Sequence, residues 1–186
     1  MEKILILDIE TTGFLQEGGK IVEVGIVELD LSNGKKKILF DQVTHEKGIT
    51  KQEVKNSWIV KNSTLTIEDI RRSKSLDLLK PEIQSILYSY QYGTTAYNNV
   101  FDFGFMEHRG FIFPKKLSCP MKIATDVCKI PSMSGYKWPN VQEAYDFFLV
   151  KPIIQSCTVV PMMHFMKLIL YMNYIKWENS QYEVAE

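Results

Sequence analysis

The chain opens on an apolar run, Ile4-Leu5-Ile6-Leu7, that passes into Asp8-Ile9-Glu10-Thr11-Thr12-Gly13. A short run rich in Ile and Leu, closed by a turn signal, predicts a buried central strand. Residues 15–19 then form a turn with paired glycines. Residues 20–29 (KIVEVGIVEL) predict a second strand, and residues 35–42 a third. Between them Asp30-Leu31-Ser32-Asn33-Gly34 carries the Asn-Gly hairpin signal. The three strands make an antiparallel meander with the first strand inside it. Residues 45–50 read as loop. Helical periodicity follows over residues 66–73 and 76–89, with Pro81 near the start of the second. Residues 93–97 (GTTAY) are a short β-prone run. Helices are then predicted over 100–111, over 120–130 with proline at its start, and over 140–148 with a cap.

A chain of 186 residues is most simply one domain with a sizeable core. Its 45% hydrophobic content is that of an ordinary globular protein. Cationic and anionic side chains number 22 each, so net charge does not point to nucleic acid. It does not exclude one either, because only a groove has to attract phosphate. Cys119, Cys128 and Cys157 are an odd set without metal-type spacing. They read as reduced thiols of a cytoplasmic protein. The apolar run after Met1-Glu2-Lys3 is too short for a signal peptide or a membrane span, so no membrane partner is expected. No GxxxxGK[ST] or GxGxxG string occurs, which leaves nucleotide hydrolysis and dinucleotide binding without support.

The chemistry is concentrated at the end of the first strand. Side chains alternate along a strand, so Asp8 and Glu10 share a face. Two such carboxylates repel each other unless a cation lies between them. Hard oxygen donors of this kind suit Mg²⁺ or Mn²⁺. Thr11, Thr12 and Gly13 add hydroxyls, backbone N–H groups and a turn, which suit a phosphate. Taken alone, Asp-x-Glu at a strand end is more often a solvated strand end.

The whole string Asp8-Ile9-Glu10-Thr11-Thr12-Gly13 resembles the first motif of the DEDD family of 3′→5′ exonucleases, which includes the epsilon proofreading subunit of the bacterial replicative polymerase, DNA polymerase III. Gly48-Ile49-Thr50 adds to that resemblance. So does Ala96-Tyr97-Asn98-Asn99-Val100-Phe101-Asp102, similar to the second motif: a strand, then Asn, then a helix beginning with Phe-Asp. The family more usually has His where Tyr97 stands. The likeness runs from Lys3 to about Leu149. It implies an α/β, ribonuclease H-like mixed five-stranded sheet flanked by helices, and a two-metal site. Asp8 would bridge the metals, Glu10 would hold the one that activates water, and Asp102 would support the other. Thr11, Thr12, Gly13, Phe14 and Asn98 would contact the terminal nucleotide, with Phe14 stacking on a base. Asp102 also has a plain reading as a helix-start acid, and Asn98 as a turn residue. Lys115 and Lys116 are candidates for contact with DNA backbone. His108 reads as a surface helix residue.

The third motif of the family, His-x-x-x-x-Asp or Tyr-x-x-x-Asp, is absent. No Asp follows Asp146, His164 is the last His, and Tyr171, Tyr174 and Tyr182 have no Asp downstream. The genetic code suggests why. In the frame that takes the last base of one codon and the first two of the next, Met162-Met163 forces Asp and Met163-His164 forces Ala. Met166-Lys167 and Met172-Asn173 force Glu, Asn173-Tyr174 forces Leu, and Trp177-Glu178 forces Gly. Cys157-Thr158 permits His at the spacing the motif requires. One base lost near Leu149-Val150 accounts for the pattern, so the tail from about residue 150 departs from the family.

Three functional expectations follow. The first is a metal-dependent exonuclease that shortens single-stranded or frayed 3′ ends, with DNA favoured. The second is an exoribonuclease of the same fold. The third is a catalytically impaired nucleic-acid-binding module, because the third-motif His and Asp are missing. No polymerase subunit or other protein partner can be inferred from the sequence.

Overall fold

The structure is a computed structural model that describes the backbone of residues 3–150 and the side chains of residues 3–147. Cys157, His164, the three late tyrosines and the shifted third motif lie outside the described residues.

Strand β1 (Lys3–Thr11) is the apolar run, and Leu5 and Leu7 in its middle are 0% and 1% exposed. It pairs antiparallel with β2 (Ile21–Asp30), which pairs antiparallel with β3 (Lys36–His45). The predicted meander is present, but its middle strand is β2 and not β1, which gains its second neighbour from outside the meander; β3 runs three residues beyond its expected end. The turn between β2 and β3 is fastened by Asp30, whose carboxylate accepts from Ser32 N at 2.9 Å and from Asn33 Nδ2 at 3.2 Å. Two short strands complete the sheet. β4 (Lys74–Ser75) lies parallel to β3, and β5 (Thr94–Thr95) lies parallel to β1. The order β4-β3-β2-β1-β5 makes a mixed five-stranded sheet with β1 inside it.

Alternation along β1 divides its burial between two faces. Leu5, Leu7 and Ile9 join the main core with Ile83 and Leu87 of α4 (Leu76–Tyr88) and Phe103 and Met106 of α5 (Asn99–His108). Ile4 and Ile6 meet Leu29, Tyr92, Tyr97 and Leu117 on the other face. Beyond them α6 (Pro120–Cys128) packs on α7 (Val141–Val150) through Ala124, Cys128 and Ala144. Cys119 and Cys128 are both buried. A two-stranded ribbon, β6 (Pro131–Ser132) with β7 (Gly135–Tyr136), precedes α7 and was not predicted.

Between β3 and β4 the chain forms three short helices, α1 (Lys51–Asn56), α2 (Trp58–Asn62) and α3 (Ile67–Arg72). Only α3 was read from the hydrophobic pattern; α1 is as short and carries a single apolar residue, Val54, and α2 has five residues. Capping marks them instead. Thr50 Oγ1 accepts from Glu53 N while Glu53 accepts from Thr50 N, and Thr66 and Asp69 repeat the arrangement. Val54, Ile59 and Ile70 gather these helices on Val22.

Candidate active site

Asp8 and Glu10 stand half-buried on one face of β1. Gly25 lies opposite Asp8 on β2 and puts no side chain across it, whereas Glu23 lies opposite Glu10. Acids facing each other across an antiparallel pair are destabilising unless their charge is relieved. The sequence reading passed over Glu23, whose significance depends on register.

Asp102 reaches the same place from α5. It is 3% exposed, and its Oδ1 accepts from Ile9 N at 3.2 Å. The reason lies in the sheet. β5 pairs with β1 only at Leu5 and Ile6, so the strand edge beyond Ile6 is open on that side. A carboxylate from the first turn of α5 takes the amide that a longer β5 would have taken. Burial raises the Asp102 pKa well above the ordinary carboxylate value, and the charges of Asp8 and then Glu10 raise it further. The three acids therefore feel one another. Among the described residues no group of three or more His, Cys, Asp or Glu side chains is arranged to hold a metal ion. Asp102 has turned one oxygen to the Ile9 amide. The donor set, all hard carboxylate oxygens, fits a divalent cation by chemistry.

Asn98, immediately before α5, has φ 62° and ψ 49°, a left-handed conformation that few side chains other than Asn tolerate. It turns the chain from β5 into the helix that carries Asp102. Its side chain does not cap that helix. Tyr97 Oη donates to Pro139 O at 2.7 Å, which ties the end of β5 to the loop before α7.

The loop after β1 is held from within. Thr11 Oγ1 donates to Gly13 O at 2.9 Å, and Thr12 Oγ1 accepts from Lys20 N at 3.0 Å. Gly19 N donates to Phe14 O at 2.9 Å. A Cβ on Gly19 would lie 2.3 Å from Gly13 O, so the glycine demanded by packing is Gly19; one on Gly13 would meet only Glu17 Oε2 at 3.9 Å.

Residues 9–14, from Ile9 to Phe14, line a groove of about 250 Å³ together with Trp58, Ile59 and Phe101. Phe14 is 62% and Trp58 70% exposed. Phe14 therefore stands at the groove, and so does Trp58, which the sequence reading missed. The signal available was the capping box at Thr50 and Glu53, which announces a helix just ahead of Trp58.

Lys116 is engaged by Glu107, and His108 is a surface residue, as read from the sequence. Among the described residues no helix is long and apolar enough to cross a membrane.

No family model matches this chain, and no curated protein matches it. Solved structures do. A 3′-exonuclease determined with a histone mRNA stem-loop is 14% identical with a TM-score of 0.57, over 93% of this chain and 82% of that one. E. coli exonuclease I with a dA16 oligonucleotide is 14% identical with a TM-score of 0.56, over 91% of this chain and 41% of that one. Cell-death related nuclease 4 is 14% identical with a TM-score of 0.51, over 94% and 64%. The fold is that of the exonucleases. The expected ribonuclease H-like sheet flanked by helices is therefore present. At this identity the likeness is one of fold, and this chain spans less than half of the exonuclease I chain.

Proposed function

We propose that the protein is a metal-dependent 3′→5′ exonuclease acting on single-stranded or frayed ends, with DNA favoured as substrate. The observation that carries the reading is the meeting of Asp8, Glu10 and Asp102 beside a groove walled by two exposed aromatics, on an exonuclease fold. A terminal nucleotide offers a flat base and an anionic phosphate, and the groove offers a counterpart to each. Phe14 and Trp58 present rings on which a base of any sequence can stack. The backbone of Thr11, Thr12 and Gly13 lies beside the carboxylates, where the terminal phosphate would rest. Asn98 would touch the terminal sugar or phosphate.

Asp8, Glu10 and Asp102 are the residues that would hold Mg²⁺ or Mn²⁺. When bound, such an ion polarises the phosphodiester and lowers the pKa of a coordinated water. The chain's own residues would orient the 3′ end, present the carboxylates to the ion and hold the base against the aromatic walls. The proton of the attacking water needs a base. The described residues supply no histidine at the groove, because His45 bonds Ser73 and His108 is on the surface. The hidden frame would supply one. Sequencing the coding DNA on both strands tests that part, and an unbroken frame removes it.

A time course with 5′-labelled single-stranded DNA and RNA in excess Mn²⁺ tests the main reading. A ladder of shortened products that vanishes in Asp8→Ala is expected. Equal or faster shortening of RNA would move the assignment to an exoribonuclease. The absence of any Asp after Asp146 favours a second reading, a binding module that holds 3′ ends without cutting them. That module would show tight binding and no ladder.

A further inference from the structure

The charge of the chain is unevenly placed. Residues 47–74 hold seven lysines and arginines against three acids, in a chain whose 22 cations and 22 anions cancel. That segment contains α1, α2 and α3. It leaves the sheet from the end of β3, at the same end as Glu10, since Glu10 pairs with Glu23 and Glu23 with Val43.

Lys51 and Lys55 stand one turn apart on α1, about 6 Å along its axis, and both are exposed. Neither has an ion-pair partner among the described residues, whereas Lys3, Lys20, Lys116 and Lys137 each meet a glutamate. The single acid of α1, Glu53, is taken up by Lys20 at 2.7 Å. Lys61 on α2 reaches back, and its Nζ donates to Asn56 O at 2.9 Å. That contact holds its charge at the junction of α1 and α2, where Trp58 begins the groove wall. A row of three uncompensated cations therefore leads up to an exposed aromatic ring.

We propose that α1 and α2 carry the phosphodiester backbone of the strand upstream of the nucleotide in the groove, with Lys51, Lys55 and Lys61 each meeting a phosphate. This rests on the exonuclease reading above, and it adds the direction in which the substrate leaves the site. The partner is single-stranded nucleic acid, because a basic row beside a stacking ring binds a strand without reading its sequence. An ordered duplex needs no exposed ring. The compact lysine head groups suit point contacts to phosphate.

The test uses the full chain and 5′-fluorescein oligothymidylates of three and fifteen nucleotides, followed by anisotropy in EDTA over a range of KCl. The variant is Lys51→Gln, Lys55→Gln, Lys61→Gln. A single strand loses about 0.7 of salt slope per phosphate contact removed. The fifteen-mer is therefore expected to lose about 2 from its log–log salt slope and at least tenfold in affinity at low salt. The three-mer, which fills only the groove, is expected to change less than twofold. Lys35→Gln with Lys37→Gln removes charge at the far end of the sheet, where Leu29 pairs with Lys36, and is expected to change neither. An unchanged slope for the fifteen-mer in the triple variant overturns the proposal. So does an equal loss for both lengths, which would place the lysines in the groove or in the fold. A wild-type chain that binds the fifteen-mer yet makes no ladder defeats the nuclease reading and leaves the path intact. One that binds neither length defeats both.

Discussion

Arg109 and Glu46 form an ion pair at 2.9 Å with side chains only 13% and 18% exposed. The same Glu46 oxygen accepts from Ile21 N at 2.6 Å, and Arg109 Nη2 donates to Gly19 O at 2.7 Å. One guanidinium at the end of α5 thus fastens the loop that bears Phe14 to the helix that bears Asp102. Its planar fork can serve both acceptors at once, which an ammonium cannot. Arg109→Met is expected to cost about 3 kcal/mol, because it leaves Glu46 shielded and unpaired. Arg109→Lys is expected to cost less while still weakening oligonucleotide binding. Thermal melts and anisotropy titrations of the two variants check this.

Gly19→Ala sets a Cβ against backbone that cannot swing aside. The expected outcome is a loss of about 1–3 kcal/mol together with a displaced Phe14. Gly13→Ala, open by comparison, is expected to melt within about 0.5 kcal/mol of the wild type. Parallel denaturant titrations of the two substitutions separate a packing demand from a general intolerance of change in the loop.

Asp102→Asn keeps an acceptor for Ile9 N and removes a charge that burial, Asp8 and Glu10 all disfavour. A carboxyl whose folded pKa is raised stabilises the fold most when protonated, and that stability is lost as pH rises through the raised value. The metal-free Asn variant is therefore expected to melt higher than the wild type near neutral pH. The gap should close as pH falls below the ordinary carboxylate range. At about 2–4 °C per kcal/mol for a chain of this size, calorimetry resolves it. A wild type that melts higher than the Asn variant in EDTA at neutral pH would contradict the repulsion inferred among the three acids.

Glu53 shifts the other way, down to about 2, through its bond to Lys20 and then its capping bonds to Thr50. A depressed carboxylate gives stability above its unfolded pKa and loses it as pH falls through the folded one. Glu53→Gln is expected to destabilise the protein at pH 7, with the difference shrinking between pH 4.5 and pH 2. Urea midpoints measured across that window provide the check.

Trp58→Ala is expected to leave the melting temperature almost unchanged, since the ring is 70% exposed. Binding of a 3′ end should weaken by about 1–3 kcal/mol, the usual worth of one stacked base. Equal affinity in the two proteins would remove Trp58 from the groove's function.

The sheet was legible because β1, β2 and β3 are long enough to show their pattern, and the Asn33-Gly34 turn punctuates them. The acids on β1 were legible because alternation alone puts Asp8 and Glu10 on one face. Three things were not. The pairing of Glu10 with Glu23 depends on register, which no single strand reveals. The hold of Asp102 on Ile9 N depends on β5 being only two residues long. Trp58 sits on a helix of five residues, too short for any period to emerge, and only its capping residues foretell it. The groove thus draws on long-range features that the local pattern does not encode.

The two sides of the groove differ in what keeps them folded. Glu10 belongs to a strand paired with β2 along its whole length. Trp58 belongs to α2, which follows the six-residue α1. Helices so short do not persist by their own hydrogen bonds. They depend on their caps and on Val54, Ile59 and Ile70 seated on Val22. Amide exchange in the free protein should therefore be slow along β1 and fast through residues 51–62. Such a site has a rigid jaw and a soft one, and ends of differing shape are accommodated by the soft jaw while the carboxylates stay where they are.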